Sequence, residues 1–414
     1  MALNDDSGPA ETGVSHVHIT FLLMNAFSMG GTIRTTYNVA AALAERHQVE
    51  IVSVYRRRAG SRFALDPRVT LRVLSDQVPP DGDTAGHPYG QCIGPHELAR
   101  RMPSLLVPRS ERRYRNFSLL TDVRMATFLR RLDSDVLVTT RPGLNLVAAR
   151  FANPSVLRVG QEHLFLANHP PALRRQIARH YPKLDLVSVL TERDAEDYRA
   201  LLGGRVQVVR VPNAVPDPGT RLAGGTKVVI AAGRLTRQKG FDLLVDAYAQ
   251  VAHRYPDWQL HIYGSGEERG RLLAQIRRLG LAQQVRLMGY TDALSEQLSQ
   301  AALYVMSSRV EGFPMVLLEA MAVGLPVVSF DCTNGPADLV RQGTNGVLVQ
   351  AGDVGGLADA LCAVMADPGR RARMGEAARA TAREYDIGRI SHRWETLFDE
   401  LSRGPRANPG KPGG

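Results

Sequence analysis

The sequence predicts two doubly wound α/β domains in tandem. Short apolar, β-branched runs alternate with amphipathic stretches along most of the chain, as parallel strands joined by helices do. Near the middle the alternation lapses over Pro212–Thr226 and then restarts. A length of 414 residues suits two or three domains with a core each.

In order, Val17–Met24 reads as a buried strand, Asn25–Gly31 as a glycine-bearing loop, Thr32–Arg46 as a helix and Val49–Val54 as the next strand. Strands follow at Val69–Leu74, Val136–Thr139, Val156–Val159, Leu186–Leu190 and Val206–Val211, with helices at Ser118–Leu132, Pro171–Tyr181 and Thr191–Leu202. Residues 75–117 decay into Pro, Gly, His and Arg and predict an irregular excursion. Pro212–Thr226, rich in proline and glycine without an apolar period, predicts an interdomain linker.

Then come a strand at Lys227–Ala232, a loop at Gly233–Gly240 and a helix at Phe241–Arg254. Strands at Gln259–Tyr263, Val285–Met288, Leu303–Met306, Pro326–Phe330 and Gly346–Val349 precede helices at Val354–Ala366, Arg370–Glu384 and Ile387–Leu401. The domains predicted are 15–211 and 227–384, with a last helix at 385–402 and disordered tails at 1–14 and 403–414. Ligands of such folds bind beyond the carboxyl ends of the strands, so a cleft between the halves is the expected site.

Composition excludes several classes. With 44% hydrophobic and 22% charged residues the chain is neither a disulfide miniprotein, a collagen nor a disordered protein. Cys92, Cys332 and Cys362 lie too far apart in sequence for a Cys-x-x-Cys site or a disulfide framework, so a reducing cytosol is expected. No run approaches the roughly 18 to 20 apolar residues of a membrane span, and the polar, acidic start is unlike a signal peptide. The protein is expected to be soluble and unexported, with peripheral contact at the inner face of the membrane left open.

The net charge of +10 is unevenly placed. Residues 1–212 hold 28 Lys and Arg against 20 Asp and Glu, whereas residues 213–402 hold 20 against 21. This is either arginine-rich composition or a first half that faces something anionic. Arg34, Arg109, Arg112, Arg113 and Arg141 are the candidates for gripping an acceptor or an anionic surface. Those at 109–113 are interleaved with Leu105, Leu106, Val107 and Tyr114.

Four segments carry chemistry. In Ser307–Glu319 a strand ends, Gly312 lets the chain turn, and Pro314 stands where a helix begins, its missing N–H harmless at the first helical position. The helix that follows points free N–H groups and the positive end of its dipole at the cleft, a site for a diphosphate flanked by Glu311 and Glu319. A solvated helix face would also explain two glutamates so spaced.

The loop Gly233–Gly240 sets Arg234, Arg237 and Lys239 between two glycines, which suits phosphate, although a solvated basic loop is the plain alternative. Met29–Arg34 places Gly30 and Gly31 in a first strand-to-helix turn where Thr32 can cap the helix. Gln161-Glu162-His163 follows a strand, and so puts a histidine at the edge where parallel sheets expose functional side chains. Asp133-Ser134-Asp135 precedes its strand and reads as a solvated turn rather than a metal site.

Together, GRLTRQKG, EGFPMVLLEAMAVGLPVV and DCTNGPADLV…GTNGVLV resemble the E-x7-E retaining glycosyltransferases of the GT-B fold, over about Val17 to Leu401. MGGTIRTT and QEH are similar to members acting on bacterial surface polymers such as teichoic acids and capsules. The resemblance implies two Rossmann-like domains facing a cleft, with the C-terminal helix returning to the first domain. It implies that Arg234 and Lys239 neutralise the donor diphosphate and Glu319 holds the ribose hydroxyls. Glu311 and the backbone of Phe313, Pro314, Met315 and Val316 hold sugar and phosphate, while Gly30 and Gly31 approach the diphosphate. His163 contacts the sugar's outer hydroxyl and Tyr290 faces the base.

The implied reaction is metal-independent, needs no cofactor, and moves a hexose or N-acetylhexosamine from a UDP-linked donor to a hydroxyl of a cell-envelope polymer, lipid-linked glycan or secondary metabolite. The same scaffold serves nucleotide-sugar 2-epimerases and could serve a non-catalytic partner that binds nucleotide-sugar or polymer. No motif supports nucleic-acid binding.

Overall fold

The computed structural model describes residues 16–78, 95–220, 222 and 226–403. The tail expected at 1–14, residues 404–414 of the tail expected at 403–414, Cys92, and parts of the excursion and linker lie outside them, while Arg403 ends a helix.

The first sheet has seven strands: β1 (His18–Leu23), β2 (Gln48–Arg56), β3 (Thr70–Asp76), β4 (Val136–Thr139), β5 (Leu157–Gln161), β6 (Leu186–Val189) and β7 (Gln207–Arg210). They lie in the order β3-β2-β1-β4-β5-β6-β7, every pairing parallel. The second has six: β8 (Val228–Ala232), β9 (Gln259–Tyr263), β10 (Val285–Gly289), β11 (Leu303–Met306), β12 (Val327–Asp331) and β13 (Gly346–Gln350). Its order is β10-β9-β8-β11-β12-β13, again all parallel. Each order reverses direction beside the first strand of its domain, which opens a crevice at the carboxyl ends of β1 and β4, and of β8 and β11.

The central strands are apolar because helices cover both faces. Ile19, Val138 and Val159 on one side and Leu22, Leu137 and Val52 on the other are fully or almost fully buried. The helix Ile387–Arg403 returns to the first domain, laying Ile390, Trp394, Leu397 and Phe398 into its core. Glu395 on that helix is buried and takes both prongs of Arg46 at 2.9 and 2.8 Å, with His47 Nε2 at 3.2 Å. The chain crosses between domains where Tyr385 accepts the Val215 N–H at 3.0 Å and its hydroxyl takes the Arg210 guanidinium at 3.1 Å.

Two helices depart from the sequence reading. Pro142–Phe151 was not expected: its residues from Pro142 to Ala149 are all buried, so it has no polar face and no amphipathic period. Within the described part of the excursion, Pro95–Arg101 is helical, with Arg101 reaching back to Glu97 at 3.2 Å. Asp135 turns out to be structural, its carboxylate accepting the His18 N–H at 2.8 Å at the amino end of the sheet.

Candidate active site

Two loops of the second domain, one after β8 and one after β11, are bonded into a single platform. Arg309 N–H donates to Gln238 O at 2.8 Å, Gln238 Nε2 to Val310 O at 2.9 Å, and Ser307 Oγ to Lys239 O at 3.1 Å. The Arg309 guanidinium bonds Arg237 O at 2.8 Å and grips Asp242 with two prongs at 2.7 and 2.6 Å. Those hydrogen bonds hold the Asp242 carboxyl below its ordinary range. Gly240 is required here: its φ is +63°, and a Cβ would lie 2.0 Å from Ser307 O.

The platform fixes Lys239 and Glu311 against each other. Lys239 Nζ is 2.6 Å from Glu311 Oε1, which also accepts from Ser308 Oγ at 2.6 Å. Glu311 and Ser308 are buried, and beside them burial pushes the Cys332 thiol up to about 12, so it is no nucleophile. Arg234 is exposed and has no acidic partner among the described residues.

The helix after the loop is Met315–Val323, so Pro314 takes the cap position rather than the first helical one. Gly335 packs on the Pro314 ring, and Met315 N–H is turned back to Phe313 O at 3.0 Å. Phe313 buries its ring against Tyr385, centroids 5.9 Å apart, whereas Met315 and Val316 are half-buried. Glu319, one turn further, is mostly buried and pairs with Arg34 of the first domain at 3.0 Å. Burial raises its carboxyl pKa and Arg34 opposes the shift. Tyr290, after β10, is 48% exposed and donates to Asp292 at 2.5 Å.

From the first domain come the turn after β1 and the loop after β5. The helix here starts at Gly31 with Gly30 as its cap, and no side chain caps it, so Thr32 lies inside the first turn instead of capping it. The N–H groups of that turn are therefore left for another acceptor. A Cβ on Gly31 would sit 3.9 Å from Met315 Cγ across the cleft, and one on Gly312 only 2.7 Å from His163 O. The two loops thus meet backbone to backbone.

His163 is held neutral: burial, with Arg141 adding to it, brings its pKa down to about 4, and its Nε2 is buried without a protein partner. Its neighbour Glu162 is fully buried, accepting from Asn145 Nδ2 at 2.9 Å and from the Tyr181 hydroxyl, with His169 Nε2 at 3.5 Å.

The basic candidates divide. Arg109, Arg112 and Arg113 are exposed without acidic partners among the described residues. Arg34 is paired to Glu319, and Arg141 is paired at 2.6 Å to buried Glu111, so these two are not free cations for an anionic surface. Glu111 also accepts the Gly143 N–H at 3.1 Å, closing the N-terminus of Pro142–Phe151. Sequence reasoning gave no role to Arg309, Asp242, Ser308 or Glu111. The first three sit within or beside the two motifs, but Glu111 meets its partner only through the fold.

Two parallel-sheet domains with these loops lining their shared cleft make a GT-B scaffold. Residues 217–381 match the family Glycosyl transferases group 1. The chain is 34% identical over 392 residues to an exopolysaccharide phosphotransferase of Streptomyces coelicolor, covering 92% of this chain and 41% of that protein. It therefore spans about two fifths of that relative's length. It is 26% identical over 388 residues to an uncharacterized glycosyltransferase of Haemophilus influenzae, covering 92% of this chain and 99% of that one. The crystal structure of a TarM mutant from S. aureus, in complex with fondaparinux, alpha-GlcNAc-glycerol and UDP, matches with a TM-score of 0.72 at 16% identity, over 92% of this chain and 100% of that one.

Proposed function

We propose that the protein is a retaining, metal-independent glycosyltransferase that moves a hexose or N-acetylhexosamine from a UDP-linked donor to a hydroxyl of a cell-envelope polymer. The observation that carries this is a set of four features borne by the platform loops and by the first-domain loop that touches them. They are the Lys239–Glu311 pair, the exposed Arg234, the first turn of Met315–Val323, and the partnerless Nε2 of His163 one backbone contact away.

In this reading Arg234, Lys239 and the helix tip stabilise the charge that develops on the departing diphosphate, which is where fixed positive groups contribute most. The acceptor oxygen bonds to the anomeric carbon on the face from which UDP leaves, and the acceptor proton passes to the departing phosphate oxygen. Glu311 positions the sugar and stabilises its positive charge without forming a bond to it. Neutral His163 hydrogen-bonds an outer hydroxyl, Glu319 receives the ribose, Tyr290 lies by the base, and Gly30 and Gly31 admit the diphosphate to the backbone. The backbone N–H groups of Phe313 and Val316 complete the anion site, that of Met315 being taken by Phe313 O.

The test is to incubate the protein with UDP-, GDP- and ADP-sugars and identify products by mass spectrometry. Slow release of UDP and free sugar from one donor is expected. The Streptomyces relative's name supports a second reading, transfer of the sugar with its phosphate; that reaction would release UMP and overturn ours. An epimerase would convert the donor without releasing nucleotide.

For location we propose the cytoplasmic side of the membrane, in peripheral contact with it. Among the described residues no helix is long and apolar enough to cross a membrane. Leu98, Met102 and Leu105 stand 54%, 42% and 72% exposed beside Arg109, Arg112 and Arg113. Apolar side chains amid unpaired cations suit an anionic lipid surface. Replacing Arg109, Arg112, Arg113 and Arg115 with glutamine should abolish salt-sensitive binding to vesicles containing anionic lipid. Unchanged binding across a salt series would overturn this placement.

A further inference from the structure

We propose that Arg34 is a positioning residue for the donor ribose: reaching from the first domain, it orients the Glu319 carboxylate so that the hydroxyls are read only when the two domains are together. This rests on Glu319 being the ribose contact.

Glu319 projects from Met315–Val323 into surroundings that bury most of it. Its side chain is 11% exposed, and its neighbours Leu318, Ala320 and Met321 are fully buried. A carboxylate so placed needs a partner to remain charged. Among the described residues the second domain gives it none; its one ion pair is with Arg34, whose Nη1 lies 3.0 Å from Oε1. The ribose contact on one domain thus depends on a cation from the other.

The pairing is single-pronged. Oε2 of Glu319 takes no bond from the described residues, so it can accept a hydroxyl while Oε1 keeps the arginine. Arg34 lies three residues past Gly31, in the helix whose first turn faces Met315, so domain closure sets its distance to Glu319. An arginine anchored at its base by a helix holds Oε1 toward the first domain and leaves Oε2 to the hydroxyls.

The test measures binding of UDP and of 2′,3′-dideoxy-UDP to the full chain by calorimetry, for wild type, Arg34→Ala, Arg34→Lys, Glu319→Ala and the double variant Arg34→Ala/Glu319→Ala. Loss of Arg34 should weaken UDP about tenfold, a charge-assisted contact's worth, while changing the dideoxy nucleotide by less than about twofold. Glu319→Ala should show the same selectivity, the double variant should be no worse than Glu319→Ala, and Arg34→Lys should restore part of the loss.

Equal weakening of both nucleotides by Arg34→Ala would overturn the proposal, since it would place the arginine on the diphosphate or on the fold in general. If Glu319→Ala fails to distinguish the two nucleotides, or wild type binds no UDP, the ribose reading itself falls and the proposal with it. Should Arg34→Ala not fold, Arg34→Gln gives the same comparison with the volume kept.

Discussion

The two edges of the cleft are built differently. The second domain's edge is a local construction: eight residues after β8 and eight after β11 are bonded to one another by main-chain contacts and by the Arg309–Asp242 fork. The first domain's edge is assembled from distant pieces. Arg141 depends on Glu111, 30 positions away, and Glu162 depends on Asn145, Tyr181 and His169, which come from three separate segments. A local platform suits a donor whose diphosphate must be met with fixed charges. An edge held by long-range partners can change its loops while the platform stays as it is.

The largest expected effect falls on the platform. Glu311→Ala and Lys239→Ala should each lower turnover on the order of a thousandfold or more, as removal of preorganised charge does, while the protein stays folded. Lys239→Ala also leaves a buried carboxylate without its cation. Turnover near wild type in either variant would move the chemistry to the other edge and erase the contrast. Steady-state kinetics with the donor identified by the nucleotide-sugar panel decide it.

The same contrast explains what the sequence could disclose. The strands were legible because burial on both faces makes each a continuous apolar run, as in Val228–Ala232 and Val327–Phe330. The platform was legible because its residues lie inside two short motifs with the glycines that their close approach demands. The helix Pro142–Phe151 was hidden by being buried on every face from Pro142 to Ala149. The destinations of Arg34 and Arg141 were hidden because a cation's sequence neighbours say nothing about a carboxylate brought to it by the fold. Thr32 was a reasonable cap by residue type, but the chain starts its helix at Gly31 and leaves the first turn uncapped.

Glycine substitutions sharpen the comparison at the next scale. Gly240→Ala puts a Cβ 2.0 Å from Ser307 O in a left-handed conformation and should destabilise by about 2–5 kcal/mol, seen as a lowered denaturant midpoint. Gly31→Ala meets only Met315 Cγ, at an ordinary 3.9 Å, and occupies a helical position. It should leave stability within about 0.5 kcal/mol of wild type, or slightly higher, yet weaken UDP binding. If Gly31→Ala binds UDP as wild type does, the first domain's turn does not approach the diphosphate.

The smallest effect concerns the buried acids behind His163. Burial raises Asp194 to about 7, the Leu166 N–H at 2.8 Å opposes the shift, and the charge of Glu162 adds to it. The unfolded chain would release this proton near pH 3.9. Between about pH 4 and 7 the native state therefore holds more protons at this position than the unfolded state, and stability falls as pH rises. His169 acts in the same direction. Burial alone would lower its pKa, but the Glu162 carboxylate 3.5 Å away, with Glu111 and Asp194, raises it, so its contribution too is present at low pH and lost as pH rises. Asp194→Asn keeps an acceptor for Leu166 and removes the charge. The variant should match wild type below about pH 4 and exceed it by a margin that grows up to about pH 7. Parallel stability curves for variant and wild type from pH 5 to 8 would mean that Asp194 is ionised throughout, and that the far-reaching edge of the cleft carries more charge than its burial suggests.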